Sequence, residues 1–559
     1  MKKTTTPLKI IPLGGLEEIG RNMMVLEYKD EIIVIDMGLQ FPEEDMPGID
    51  YIIPNTSYLK DKRDKIKGVI ITHGHYDHIG AIPHSIGRLG NPTIYTTPLT
   101  RGIILKRQDD FPNAPSLDIC EIKKTDKIKL GCFGIEFFHV NHNIPDGVGL
   151  MIRTPVGIVV HTGDFKFDHT PIGDEPADIS RIAQIGSEKV LVLMSDSTNA
   201  EMPGYSISEK DIQDNLEVIF RESTNKIIIA TFGSLISRVQ EVINLAEKYN
   251  RKVAIDGYSM RMNVEIARGL GYLKAKKGTL IKIKDVNDYP SHKIVVLGTG
   301  AQGEGNAVLM RIANKEHKFV NIEENDSVIF SSSVVPGNER AVQDLKDNLS
   351  RQGAKIYHYQ MMDIHASGHG QKEDLKMMIN LIRPKFFIPI HGNHYMLKAH
   401  KDIAEEMGIK EENIIVANNG DVIKVTPKRI WVSEEEKVPA NYVMVDGLGV
   451  GDVGEVVLRD RQMIAKDGIF VVIAVIESKT GKVRGKPDII SRGFVYLRES
   501  KQLLEEVREK VREIVCECVS PEHTTNWTYL KNNIRDKIGQ FLFIKTQRRP
   551  MVIPVVIEI

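Results

Sequence analysis

Four metal-capable side chains fall within six residues in Thr72-His73-Gly74-His75-Tyr76-Asp77-His78, directly after an apolar run at 69–71. Two histidines spaced two apart in a turn, His73 and His75, can point the same way and share one cation, while Asp77 and His78 face a second. A lone histidine after a strand is ordinarily a satisfied core residue; this density is not a core pattern. Three more residues fit a two-cation site. His142, in Phe138-His139-Val140-Asn141-His142, adds to the first position. Asp164, of His161-Thr162-Gly163-Asp164, can bridge both, and His391, ending the run at 386–390, adds to the second. His139 competes with His142 for its role, and His394 with His391. The donors are all nitrogen or oxygen, which favours zinc, with manganese the alternative, over an iron–sulfur cluster or a structural zinc finger. Two divalent ions about 3.5–4 Å apart suit in-line displacement at phosphorus, since together they draw the pKa of bound water towards neutrality and neutralise the attacking and leaving oxygens.

Positioning such groups is a task for strand ends. Short β-branched runs at 32–35, 69–71, 157–160 and 190–194 each finish in polar residues: Asp36, Thr72-His73, His161 to Asp164, and Ser195-Asp196. Runs of this length read as buried strands. From about 207 the pattern changes. Ser206 or Ser208 can cap a helix to about 222, and strands near 227–229, 253–255, 294–297 and 328–330 then alternate with helices over 236–250, near 305–314 and over 338–352, as in a parallel α/β module. The run at 386–390 into His391-Gly392-Asn393-His394 returns to the first style, so the module is read as an insertion into one domain. The expected boundaries are 1–207 and 359–430 for that domain, 208–358 for the insertion, 431–450 for a linker and 451–559 for a small α+β domain with one helix over 500–515.

The chain has 559 residues, 42% hydrophobic and 27% charged, with 74 basic and 75 acidic residues giving a net charge of −1. That is the balance of a soluble multidomain enzyme, and it excludes a uniformly basic nucleic-acid binder while leaving room for a local basic channel. Lys106-Arg107 and the stretches 274–277 and 545–549 are candidates for its lining. No run approaches the roughly 20 apolar residues of a membrane span. The start, MKKTTTPLKI, has no apolar core for a secretory signal. Four cysteines without CxxC spacing suit reduced thiols, so a cytoplasmic protein is expected. Gly298-Thr299-Gly300-Ala301-Gln302-Gly303 matches the dinucleotide fingerprint literally, but it sits late in its module and reads as a tight turn after a strand rather than an NAD site.

The motif His73 to His78, His142, the Asp164 segment and Ile388-Pro389-Ile390-His391 resemble the metallo-β-lactamase fold, and the insertion of about 150 residues resembles the β-CASP nucleases. Over essentially its whole length the chain is similar to the ribonuclease J family, through PLGGLEEIGRN, SDSTNAEMPGYS, GTGAQGE, SSSVVPGNE, HASGHG, IPIHGN, SRGFVY and KTQRRPMVIPVV. The resemblance implies an α/β metallo-β-lactamase αββα sandwich with an inserted β-CASP α/β domain and a small C-terminal α+β domain. It implies a 5′-to-3′ exoribonuclease preferring 5′-monophosphorylated RNA, with endonuclease activity, working on single-stranded RNA in rRNA maturation and mRNA decay with two divalent ions. The metal set is His73, His75, Asp77, His78, His142, Asp164 and His391. Asp77, Asp196 and His369 form the catalytic set, with His369 near the scissile phosphate, Asp196 orienting it and His365 the competing histidine. A 5′-phosphate pocket would draw on Phe232, Gly233, Ser234, His365, Ala366, Ser367, Gly368 and His369, whose glycines let backbone N–H groups approach phosphate oxygens. The same resemblance implies a homodimer or homotetramer or assembly with a paralogous subunit, and no membrane. The alternatives are an endonuclease-only or DNA-acting β-CASP nuclease, and a weakly active scaffold subunit.

Overall fold

The computed structural model describes residues 6–43, 45–304, 306–335, 337–477, 480, 482–495, 500–518 and 526–559. Two sheets carry the first domain. One has eight strands in the spatial order Ile430–Lys437, Asp421–Val425, Leu8–Gly14, Met23–Tyr28, Glu31–Ile35, Ile66–Ile70, Ile94–Thr96 and Ile119–Glu121. The other has six, in the order Phe386–Ile390, Val192–Asp196, Gly157–His161, Val148–Thr154, Phe133–His139 and Lys127–Leu130. Alternation along each strand decides what meets what. Leu8, Ile10, Leu26 and Ile33 of the first sheet pack against Ile135, Leu150, Ile152 and Val192 of the second. The intervening residues face outward: Ile11, Val25, Ile32 and Val34 on one side, and Met151, Val160, Leu193 and Phe387 on the other, where they meet helices Ile179–Ser187, Lys372–Ile382 and His394–Glu406. The result is the αββα sandwich.

The chain leaves the six-stranded sheet at Asp196 and re-enters it as Phe386–Ile390, parallel and adjacent, with Asp196 opposite Ile390. Between these two strands lies the inserted module, an all-parallel sheet in the order Leu280–Ile281, Lys252–Ile255, Ile294–Gly298, Ile227–Ala230, Ser327–Phe330 and Lys355–His358. Both faces are covered, as parallel sheets require. Ile227, Ile229, Val253 and Leu297 share a core with helices Glu209–Glu222, Ile236–Lys248 and Tyr258–Gly269. Ile228, Ala254, Val296 and Val328 do so with Val308–Ala313 and Glu339–Ser350. Ser208 is the N-cap of Glu209–Glu222, its hydroxyl accepting from the Lys210 N–H.

Residues 431–450, expected as a linker, instead begin within the edge strand Ile430–Lys437, where Glu436 accepts from both Lys9 and Lys424. Its acidic run reads as a loop by composition, but charge on an outer strand is a normal guard against edge-to-edge pairing. A second unit, Phe41–Tyr51 with Met444–Ile559, has the sheet order Asp488–Arg492, Ile469–Ile476, Met551–Glu558. Phe470, Val472, Ala474 and Ile476 line one face and pack with Val507, Val511 and Ile514 of helix Lys501–Cys518 and with Leu530, Ile534, Ile538 and Leu542 of helix Trp527–Thr546. With Glu455–Asp467 this makes three helices among the described residues of this unit where one was expected. Among the described residues no helix is long and apolar enough to cross a membrane.

A cavity of about 960 Å³ opens where the sandwich meets the inserted module, lined by Asp146, Asp174, Gln240 and Tyr272 among others. The Asp146 carboxylate accepts from the Leu99 N–H, the Thr97 hydroxyl and the Tyr272 hydroxyl, yet burial pushes its pKa up to about 6 from an ordinary 3.8. A carboxyl raised in this way favours the folded state most below the unfolded value, and the contribution is lost as pH climbs towards the folded one. Asp146→Asn is therefore expected to leave stability at pH 4 nearly unchanged and to raise it at pH 8 by about 2–3 kcal/mol. Denaturant titrations at both pH values check this; an equal change at both would reject it.

Candidate metal centre

The strand Ile66–Ile70 delivers the histidine motif to the end of the sandwich, and Asp36, just past the neighbouring strand Glu31–Ile35, fixes it. The Asp36 carboxylate accepts from the Thr72 N–H (2.8 Å) and hydroxyl (3.0 Å) and from His78 Nδ1 (2.8 Å). Asp36 does this with φ +61°, a left-handed conformation that a non-glycine residue adopts at a cost. His391 follows its strand with φ +52°. In the sequence Asp36 shows only as one of the polar strand ends, the series that also yields His73, Asp164 and Asp196.

Three imidazoles converge. His75 Nδ1 lies 3.1 Å from His73 Nε2 and 3.0 Å from His142 Nε2. His142 Nδ1 is 2.7 Å from the Gly368 carbonyl, which can only accept, so the proton is on Nδ1 and Nε2 offers a bare lone pair. His73 Nδ1 likewise donates to the Thr72 hydroxyl (3.0 Å), whose own proton goes to Asp36. Burial pushes His73 and His142 well below the usual imidazole range and His75 down to about 4. Neutral imidazoles with second nitrogens tied to oxygen acceptors are the form that binds metals.

Beside them, Asp77, His78, Asp164 and His391 form a second cluster that is largely buried. Asp164 Oδ1 is 3.0 Å from His391 Nδ1, and Oδ2 is 3.2 Å from His78 Nε2, 3.7 Å from His73 Nε2 and 3.9 Å from His142 Nε2. Asp77 Oδ2 lies 3.4 Å from both His78 Nε2 and His391 Nε2. Burial opposes charge on His78 and His391, but the facing carboxylates, Asp164 foremost, hold both well above the ordinary range. The site thus demands positive charge, and among the described residues the buried His391 Nε2 has no well-formed hydrogen bond, only the 3.4 Å approach of Asp77 Oδ2. Converging lone pairs, clustered carboxylates and a nitrogen without a well-formed bond fit divalent cations.

Asp196 and His369 adjoin this cluster. Asp196 Oδ2 accepts from His369 Nδ1 at 2.7 Å, and its Oδ1 is 3.6 Å from His391 Nδ1. Burial works against protonated His369, yet the Asp196 charge and hydrogen bond raise its pKa. Of the competing histidines, His139 donates to the Glu175 carbonyl (2.9 Å) and His394 meets Glu17 at the surface; neither joins a cluster. His365 stands apart, its pKa pushed down to about 3 by burial and its Nδ1 without a partner among the described residues.

The expected phosphate loop is held from several sides. Asn199 Nδ2 donates to Ser367 Oγ (2.8 Å) and to the His369 carbonyl (2.9 Å). Phe232-Gly233-Ser234 precedes helix Ile236–Lys248, whose buried Arg238 donates to the Ile364 carbonyl (2.8 Å), two residues before Ala366. Gly368 has a second duty that the sequence did not suggest, since a Cβ there would stand 2.5 Å from His142 Cε1. Gly368→Ala is expected to shift that ring and weaken metal retention by about 10–100-fold, the usual effect of disturbing an outer-shell partner. Metal content after graded chelation measures it; unchanged retention would separate the loop from His142.

Similarity to known proteins spans the chain. Matching family models are described as Ribonuclease J, beta-CASP domain (residues 224–349), Ribonuclease J C-terminal domain (456–559), Metallo-beta-lactamase superfamily (16–196) and Zn-dependent metallo-hydrolase RNA specificity domain (357–416). Ribonuclease J2 of Bacillus subtilis (strain 168) is 41% identical over 558 residues, and Ribonuclease J 2 of Staphylococcus aureus (strain NCTC 8325 / PS 47) is 41% identical over 559, each covering 100% of both chains. A solved structure described as a protein of unknown function from Enterococcus faecalis V583 aligns with TM-score 0.55 and 18% identity over 75% of this chain and 100% of its own, a likeness of fold alone.

Proposed function

Because the chain belongs to the ribonuclease J family, we propose that it hydrolyses RNA phosphodiester bonds, removing nucleotides from a 5′-monophosphorylated end and also cutting internally. The observation that carries this reading is the gathering of three donor groups around Asp164: His73, His75 and His142; Asp77, His78 and His391; and the Asp196–His369 pair with His391. His73, His75 and His142 would hold one divalent ion, zinc or manganese, and Asp77, His78 and His391 another, with Asp164 between. Such ions supply charge neutralisation at phosphate oxygens and water of lowered pKa.

The side chains do the rest. Asp36 keeps His78 in one tautomer, and the Gly368 carbonyl does so for His142. His369, with Nδ1 donating to Asp196, has Nε2 left to protonate the departing 3′-oxygen. Asp196 is a positioning residue that keeps the ring aimed and charged. Ser367 and the backbone of the loop through Gly368 would take the 5′-phosphate, whose capture one nucleotide from the scissile bond gives direction to the reaction. The single-stranded RNA chain would pass along basic surface. Cytoplasmic work in rRNA maturation and mRNA decay, and assembly as a homodimer, homotetramer or with a paralogous subunit, belong to the same proposal.

The test uses 5′-labelled and 3′-labelled RNA carrying a 5′-monophosphate or triphosphate, with manganese- or zinc-loaded protein and His75→Ala beside it. Rapid release of labelled mononucleotide from the monophosphate substrate only is expected, absent in the control, with Ser367→Ala narrowing the preference. Internal fragments alone would leave an endonuclease. Metal-loaded protein that binds RNA and cuts none would be a non-catalytic subunit.

A further inference from the structure

A second polar cavity, of about 520 Å³, lies in the inserted module at the carboxyl ends of strands Lys252–Ile255 and Ile294–Gly298. Parallel α/β sheets bind ligands at this end of their strands. The glycine-rich turn read above as a structural turn forms part of the wall through Thr299, and Gly257, with φ +98°, opens helix Tyr258–Gly269 against it without a side-chain cap. A Cβ on Gly257 would lie 3.0 Å from Thr299 Oγ1 and would be strained at this φ, so glycine suits the close approach of the two turns.

Its charge is arranged around one carboxylate. Asp256 accepts from Arg261 (3.2 Å), Arg311 (3.4 Å) and His317 Nε2 (3.0 Å). His317 Nδ1 accepts from the Val320 N–H (3.0 Å), so its ring is neutral with the proton on Nε2. Arg261, Arg311 and Lys318 therefore face a single negative charge among the lining residues, an excess of two positive charges. Asp256 holds each guanidinium by one long contact, which leaves further N–H groups of both forks for another acceptor, and Arg311 Nε has no partner among the described residues. Paired guanidiniums and an uncapped helix start are a phosphate-binding combination. Tyr258 and Phe319 supply aromatic surface for a base, and the volume suits a small-molecule site.

A chain of side-chain contacts links the pocket to the centre. Tyr258 donates to Asp110, at the end of helix Pro98–Asp109, and Arg107 of that helix lies 5.2 Å from the ring of Tyr76, next to His75. We propose that this pocket is a second nucleotide-binding site, taking a base–ribose–phosphate unit supplied by the body of an RNA substrate or by a free nucleoside phosphate. The RNA source rests on the nuclease reading; the free-nucleotide source does not.

The test compares the full-length protein with Arg261→Ala/Arg311→Ala and, separately, with Lys318→Ala, whose exposed side chain makes it the safer variant should the double one fold poorly. Binding of a 12-nucleotide phosphorothioate RNA is measured across a salt series, and binding of AMP and ATP by calorimetry. For the RNA source, the double variant loses about tenfold or more in RNA affinity and its log–log salt slope falls by about 1.4, or 0.7 per phosphate contact, with about half that slope change in Lys318→Ala. For the free-nucleotide source, AMP or ATP binds the parent and is lost in the variants while RNA affinity holds. Parent-like binding of RNA and of both nucleotides by folded variants overturns the proposal. A parent that binds no RNA would defeat the nuclease reading, and the calorimetry would still decide the pocket.

Discussion

Asp164→Asn is expected to strip most of the bound divalent metal and to lower RNA hydrolysis by at least about 10³-fold, more than the 10–100-fold that outer-shell changes cause. Among the described residues, Asp164 is the one carboxylate within 4 Å of His73, His78, His142, His369 and His391 together. Asparagine preserves its shape and removes the charge on which both clusters depend. Without that charge, the neutral histidines on one side and the carboxylate-rich group on the other lose their common ligand. Elemental analysis of the purified variant beside its cleavage rate decides the matter. A folded variant with full metal content and parent-like turnover would refute the bridging role.

His369→Ala should act differently, lowering turnover on RNA by about 10²–10⁴-fold while leaving metal content intact. The difference follows from position: His369 spends Nδ1 on Asp196 and is 3.9 Å from Asp164, so it can lose its ring without removing a nitrogen from the three-histidine cluster. A leaving-group series separates proton donation from mere packing. An aryl phosphodiester needs no proton on its departing oxygen, so the variant should cleave it at close to the parental rate. Equal losses on RNA and on the aryl ester would mean that His369 only shapes the pocket. Asp196→Asn should follow His369→Ala in direction with a smaller loss, since it misaims the ring without deleting it.

The parts of this site that the sequence exposes are those whose chemistry is local. His73, His75, Asp77 and His78 sit on one short turn, and Asp164 and Asp196 are polar residues closing apolar strands, so spacing alone brings them to notice. Choosing between neighbours needs space. The sequence favours His142 without excluding its neighbour His139, and the structure turns His139 to the Glu175 carbonyl and His142 to His75. Asp36 and Gly368 are visible as a strand end and a loop glycine, but their roles are not, because each acts through space on a histidine 42 or 226 positions away. In the fold, the parallel alternation of the insertion was readable from its strand–helix rhythm. The C-terminal helix Trp527–Thr546, beyond the single helix expected there, carries Leu530, Ile534, Ile538 and Leu542 at four-residue intervals, a periodicity present in the sequence. The strand Ile430–Lys437 was not readable, because half of its residues are charged and its partner is fixed only by the sheet.

The pairing of Val192–Asp196 with Phe386–Ile390 also sets a clock. During translation the first of these strands leaves the ribosome as the raw edge of an unfinished sheet, and its partner is not made until the entire inserted module has followed. At about 5–20 residues per second the interval is about 10–40 s. Throughout it Asp196 lacks its neighbour His391, and the loop bearing His369 is made only near its end. The site is therefore among the last parts of this domain to be assembled, since His391 reaches Asp196 only when the late strand closes the sheet.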